Sequence, residues 1–290
     1  MAQNLVNALS LGSLYALIAL GIALLFSIMG LINFAHGELI MIGGYALLWF
    51  AALPFALAAV LAVAVVIGCG LAMERLAFRS VRGASGETLL MTSFALSLFI
   101  QGGVLLFEGA NPKSADVLGS LGASVEVAGL SIGKLDITII GVTAVLLLGL
   151  AWFLRRTSLG VQMRAAAEDF RMARALGVRA NLVVATAFGV SGAFAAIAAI
   201  FLVASTGTLT PSMGLSPVLV GFVAIMLGGL GRLWAAALGA YVLALLSVML
   251  QAYLPDGVAP YRDALVYLGI VVILVFRPHG IAGRPGAVRV

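Results

Sequence analysis

A bundle of eight or nine membrane-spanning helices, all-α, is the fold class the sequence predicts, and three observations predict it. Of 290 residues, 63% are hydrophobic and only 9% are charged. A water-soluble domain carries about 25% charged residues, so this chain could not cover a soluble surface. Disorder is excluded for the same reason, because disordered chains are polar and charged. Third, the apolar residues fall into runs near the roughly 20 residues that one hydrophobic span needs. The length holds eight to ten such spans and leaves no room for a soluble catalytic domain.

The runs lie at 5–27, 30–50, 54–73, 88–107, 137–154, 182–204, 216–230, 233–254 and 264–276. They are long and continuous, unlike the ten-residue alternating segments of a membrane β-barrel. The first run has no basic leader and no small-residue cleavage site after a short apolar core, so it is expected to stay as a span. The second run is interrupted by polar residues and the last is short, so either reads as a full span or a half-span.

The connecting segments carry the charge. Arg75, Arg79 and Arg82 follow the third run. Arg155, Arg156, Arg164, Arg171, Arg174 and Arg179 follow the fifth, Arg232 the seventh, and Arg277, Arg284 and Arg289 the last. Alternating sides leave only Lys113, Lys134 and Arg262 of the 16 basic residues on the opposite face. The positive-inside rule makes the basic face cytoplasmic, with the C-terminus on it. Nine spans put the N-terminus outside; if 30–50 does not cross, the N-terminus moves inside. The net charge of +5 is therefore a topology signal and not a nucleic-acid face.

Small residues at Gly68-Cys69-Gly70-Leu71-Ala72 and through 189–199 predict close helix packing, because lipid-embedded helices associate through small side chains. Cys69 is the single cysteine, which excludes an internal disulfide and a cysteine-based zinc cluster, and it reads as a small buried apolar residue. The echo of Gly43-Gly44-Tyr45 in Gly239-Ala240-Tyr241 is too short to indicate duplication. The chain reads as one membrane domain, 1–290, with a cytoplasmic loop at 155–180.

Two enzyme-like patterns fail. Gly129-Leu130-Ser131-Ile132-Gly133 fits G-x-S-x-G, but it sits in a loop between spans and the only histidines are His36 and His279. Gly133-Lys134 lacks the first glycine of a phosphate-binding loop, since Ala128 stands there, and Leu135 replaces the hydroxyl residue. No cofactor is expected, and an ATP-driven process would need its ATPase on another subunit.

Three candidate functional segments remain. Asn33-Phe34-Ala35-His36-Gly37-Glu38 is a polar block in apolar surroundings. Charges at membrane depth cost about 2.5–3.5 kcal/mol on insertion scales, so they face a cavity, a partner or the interface. The block reads either as a broken helix lining a pathway or as a turn with His36 and Glu38 at the interface. Thr92, Ser93 and Ser97 share one face of the fourth run, extended by Gln101. That stripe lines a pathway, or its hydroxyls bond back to their own helix. The loop 155–180 is rich in helix formers and places Gly177 as a helix stop. It is either a solvated helix or a helix that docks in a partner's groove.

These residues resemble a known family. Leu11-Gly12-Ser13-Leu14-Tyr15-Ala16-Leu17, the Gly30–Glu38 block, Arg164-Ala165 with Glu168-Asp169, Ala173 and Leu176-Gly177-Val178, Gly228-Gly229-Leu230-Gly231 and Arg277-Pro278-His279-Gly280-Ile281 are similar to LivH-type permeases of branched-chain amino acid ABC importers. The likeness runs in order along nearly the whole chain, and the Asn-Phe-Ala-His-Gly block is quite specific to that family and its close relatives. It implies a bacterial inner-membrane importer bundle with a second, related permease, two cytoplasmic ATP-binding subunits and a periplasmic solute-binding protein. It implies a pathway near Asn33, His36, Glu38, Ser93, Ser97 and Gln101. It implies an ATPase-coupling helix involving Arg164, Glu168, Asp169, Ala173, Leu176 and Gly177. Arg232-Leu233-Trp234-Ala235 departs from the small polar and Gly or Pro residues usual after the glycine turn. Urea, short-amide and aromatic-acid importers belong to the same family, and nothing in the chain sorts these solutes. An ion-coupled transporter acting alone would need intramembrane carboxylates, for which Glu38 is the one plausible residue.

Overall fold

The longest helix, α1 (Ala2–Met29), forms the axis of the bundle in the computed structural model, which describes residues 1–30, 32–114, 124–127, 130–255, 257–258 and 261–282. Leu31, Ala128, Gly129, Arg284 and Arg289, discussed above, lie outside the described residues. At 1.5 Å per residue α1 is about 42 Å long, and 78% of its most apolar stretch is buried inside the chain. It ends at Gly30, whose φ of 64° is left-handed and whose N–H bonds the Phe26 carbonyl. That conformation suits glycine, which carries no Cβ to clash there.

Then follow α2 (His36–Trp49), α3 (Phe55–Met73) continued by a π-helical turn (Glu74–Phe78), α4 (Gly86–Glu108), α5 (Lys134–Arg156), α6 (Ser158–Glu168), α7 (Phe170–Ala175), α8 (Ala180–Thr206), α9 (Leu215–Gly228), α10 (Leu233–Tyr253) and α11 (Arg262–Phe276). Among the described residues six helices are long and apolar enough to cross a membrane: α1, α3 with its π turn, α4, α5, α8 and α10. The runs read at 30–50, 216–230 and 264–276 form shorter helices of 14, 14 and 15 residues. The all-α expectation needs one adjustment. Short strands β1 (Lys113–Ser114), β2 (Ser124–Val127), β3 (Leu130–Gly133) and β4 (Thr208–Leu209) form two antiparallel pairs, β1 with β4 and β2 with β3.

The core is built where α1 meets α8, α9 and α10, and where α3 and α2 cover α8. The small-residue stretches meet as expected: a Cβ on Gly70 would lie 3.1 Å from the Phe188 carbonyl oxygen, and one on Gly192 3.2 Å from that of Val66. Cys69 beside them is only half-buried. Polar bonds add to this packing. Ser10 donates to Asp136 at 2.6 Å, Gln3 Nε2 donates to the Ser131 carbonyl at 2.8 Å, and Ser13 Oγ lies 3.0 Å from the Tyr241 hydroxyl. The first two put the start of α1 beside the start of α5, at the strand-bearing end.

The unusual turn before α10 has a structural use. The Ile281 and Ala282 N–H groups donate to the last carbonyls of α9, Leu227 and Gly228, at 2.8 and 3.0 Å. Arg232 Nη1 donates to the Ala282 carbonyl at 3.4 Å. The tail thereby satisfies backbone acceptors that a helix end leaves open.

Candidate functional site

Residues 32–35 enter the bundle without helical structure, and α2 begins only at His36. The Asn33 side-chain oxygen accepts the Ala35 N–H at 3.1 Å, a local turn that starts the helix. Gly37 and Gly214 then face each other backbone to backbone, with no room for a Cβ on either. His36 is fully buried against α1 and α8. The Ser191 hydroxyl donates to the Gly21 carbonyl at 2.8 Å, so it accepts from His36 Nδ1 at 3.1 Å. This fixes the Nδ1–H tautomer and leaves Nε2 as an acceptor. Gly21 lies about 12 Å along α1 from its end, and Ser191 about 17 Å along α8 from its start. The block is therefore inside the bundle and not at an exposed turn.

Glu38 points the other way, since two residues on a helix turn through about 200°. Its Oε1 accepts from Ser97 of α4 at 2.8 Å. One turn earlier, Ser93 accepts the Phe34 N–H at 3.4 Å and lies 3.2 Å from the Ile32 carbonyl. One turn later, Gln101 donates to the Pro211 carbonyl at 3.2 Å. At the far end Trp49 Nε1 donates to Glu108 at 2.7 Å, and Lys113 holds the other carboxylate oxygen at 2.5 Å. Glu38 to Trp49 and Ser97 to Glu108 are both eleven-residue steps. Thus α2 and α4 run parallel and in register, joined by a polar seam.

The structure thus brings Glu38, Ser93, Ser97 and Gln101 onto one seam with Asn33 at its inner end. It places His36 on the opposite side of α2. Sequence reasoning missed Tyr45, Trp49, Glu108, Lys113 and Ser191. Tyr45 and Trp49 carried a readable signal, being seven and eleven residues beyond Glu38 on one helix face. Four buried polar atoms along this stretch have no hydrogen-bond partner among the described residues: Asn33 Nδ2, His36 Nε2, Glu38 Oε2 and the Tyr45 hydroxyl. Each such group costs about 1–3 kcal/mol of desolvation left uncompensated.

The third candidate segment, 155–180, holds two short helices and not one. Thr157 caps α6 by accepting the Gly160 N–H at 3.0 Å. Asp169 breaks the helix and caps α7 by accepting the Met172 N–H at 2.9 Å. Gly177, at φ 89°, closes α7, with Gly177 N–H on the Arg174 carbonyl at 3.0 Å and Val178 N–H on that of Ala173 at 3.1 Å. Arg164 Nε donates to the Leu154 carbonyl at 2.9 Å, tying α6 to the end of α5. Ala173 turns inward at 4% exposure. Glu168 and Asp169 are exposed, and the outer apolar surface of α7 is Met172 and Leu176, flanked by exposed Arg171 and Arg174.

The comparisons with known proteins agree over nearly the whole chain. The family model described as "Branched-chain amino acid transport system / permease component" matches residues 4–275. The high-affinity branched-chain amino acid transport system permease protein BraD of Pseudomonas aeruginosa is 33% identical over 297 aligned positions, covering 98% of this chain and 96% of that protein. LivH of Escherichia coli, a high-affinity branched-chain amino acid transport system permease protein, is 34% identical over 298 positions with the same coverage. A probable branched-chain amino acid transport permease protein LivH of Methanocaldococcus jannaschii is 24% identical over 296 positions. With a bundle of long apolar helices, a near-complete family match and relatives above 30% identity, this multi-pass membrane protein belongs to the family of branched-chain amino acid transport system permease components.

Proposed function

We propose that this chain is the permease subunit of an ATP-driven importer for branched-chain or related hydrophobic amino acids in a bacterial inner membrane. It forms half of the translocation pathway beside a second, related permease. Two cytoplasmic subunits hydrolyse the ATP, and a periplasmic binding protein delivers the solute. The chain is a single membrane domain of eight or nine passes, made by the six long helices with two or three of α2, α9 and α11. The 14 residues of α2 span about 21 Å, so α2 completes a pass only together with residues 32–35. The arginine-rich segments and the C-terminus face the cytoplasm.

The observation that carries this reading is the polar seam between α2 and α4, which runs along both helices from Ser93 to Glu108. Buried polar groups at membrane depth are costly and mark solute paths. Asn33, Glu38, Ser93, Ser97 and Gln101 line that path, and His36 braces the start of α2 against α1 and α8. Arg164, Glu168, Asp169, Ala173, Leu176 and Gly177 build the cytoplasmic coupling segment. Arg164, Ala173 and Gly177 hold its shape, and Met172 joins Leu176 as its contact surface.

The test is uptake by proteoliposomes carrying the chain with its partner subunits and binding protein. ATP-dependent accumulation of leucine is expected. Accumulation of urea in place of leucine would change the solute, and uptake by this chain alone without ATP would overturn the reading. Within the same assay, Glu38→Gln keeps an acceptor for Ser97 and removes the ionisable carboxyl. Uptake is expected to fall about tenfold, the equivalent of roughly 1.4 kcal/mol. Unchanged uptake would remove Glu38 from the path.

A further inference from the structure

The π-helical turn Glu74–Phe78 ends α3 with hydrogen bonds one residue longer than those of an α-helix: the Arg79 N–H reaches back five residues to the Glu74 carbonyl at 2.8 Å. Such insertions re-aim the residues after them. Here Phe78 is turned fully inward, with its ring 5.3 Å from Phe188 of α8. Glu74, directly after the third apolar run, is only 6% exposed. Arg75 and Arg79, its basic neighbours, stay in the open. Arg82, from the loop between α3 and α4, instead turns back and forms an ion pair with Glu74. Its Nη1 donates to the Asn181 side-chain oxygen at 2.6 Å. Asn181 is the second residue of α8, four residues after the Gly177 stop of α7.

One guanidinium therefore ties three parts together: the end of α3, the loop leading into α4, and the first turn of α8. A partly buried ion pair is a weak source of stability, because desolvation offsets most of the attraction. Its use here is positional: the Glu74 charge holds the guanidinium in place, and the planar group then directs Nη1 at the Asn181 oxygen.

We propose that Glu74, Arg82 and Asn181 are positioning residues that carry displacement of α7 through the start of α8 to α4, the helix bearing Ser93 and Ser97. This rests on the reading of α6 and α7 as the ATPase dock. Arg82 stands four residues before α4, in a turn closed by the Ala84 N–H on the Val81 carbonyl at 3.0 Å, so the link to the first turn of α8 reaches α4 through that short hydrogen-bonded turn.

The experiment uses the complete importer in proteoliposomes and measures uptake, ATP hydrolysis and co-purification of the ATPase subunits. Asn181→Ala and Arg82→Met are each expected to lower solute imported per ATP hydrolysed about tenfold, with the ATPases still bound and hydrolysing. Arg82→Lys keeps the charge beside Glu74 and loses the directed second donor, so the expected loss is about threefold. Should Arg82→Met fail to reach the membrane, Asn181→Ala decides, since it removes a neutral acceptor only. An unchanged ratio of uptake to hydrolysis, or a fall of both in proportion, overturns the proposal. Failure of the docking reading is separate: it shows as ATPase binding insensitive to changes on α7, whatever Arg82 does.

Discussion

Replacing Met172 and Leu176 together by glutamate is expected to abolish ATP-dependent uptake while leaving the chain in the membrane at its normal amount. These side chains are 58% and 79% exposed on α7, one helical turn apart, so they form a single apolar spot on the outer face. Burying one such side chain against a partner contributes about 1.5–3 kcal/mol. Losing both removes at least about 3 kcal/mol, roughly a hundredfold in affinity for the ATPase, and the new carboxylates would have to be desolvated as well. The folded chain should tolerate the change because neither side chain is packed within it. Co-purification of the ATPase subunits and ATP-dependent leucine uptake are the measurements. Retention of both at normal levels would show that α7 is not the dock. The inward Ala173 gives the contrast: enlarging it disturbs the packing of α7 on the bundle before it touches any partner.

Gly37→Val is expected to eliminate transport by unseating α2. The start of α2 rests on Gly214 with backbone against backbone, and a backbone carbonyl cannot rotate aside as a long side chain can. Overpacking ordinarily costs about 1–3 kcal/mol. Here the strain must move either the 32–38 segment or the segment before α9. Movement of the 32–38 segment breaks the bond between Glu38 and Ser97 and the contact of His36 with Ser191, and movement of the segment before α9 shifts the Pro211 carbonyl to which Gln101 donates. The expected signature is loss of uptake together with a lower unfolding midpoint in detergent. Full uptake at a normal midpoint would mean that the seam tolerates displacement and does not position the path.

Part of the site was legible because helical spacing shows which residues of one helix share a face. Ser93, Ser97 and Gln101 were grouped in this way, and they do lie on one side of α4. Gly177 was legible because a glycine after a run of helix formers marks a left-handed stop, which its φ of 89° bears out. The break at Asp169 was not read, although Asp followed three residues later by a free N–H is a capping arrangement. The favourable helix propensity of the neighbours hid it. The direction of His36 was not legible: the chain is non-helical through residue 35, so helical spacing from Asn33 carries no meaning, and His36 looks toward α1 and α8.

The sequence by itself determined the membrane class, the positions of the apolar runs, the partition of basic residues between alternating segments, and the family. These follow from composition and from order along the chain, and hydrophobic transfer decides them without any knowledge of neighbours. The tertiary structure alone decided which helices are central. Helices α1 and α4 are both long and apolar, with mean hydropathy of 2.3 and 1.9 over their most apolar stretches, yet 78% of one stretch and 17% of the other is buried in the chain. In water an amphipathic stripe would have told inside from outside. A helix surrounded by lipid or protein is apolar on every face, so periodicity loses that information. Pairings such as Glu38 with Ser97, or Arg82 with Asn181, depend on which faces meet, and only the packed bundle specifies that.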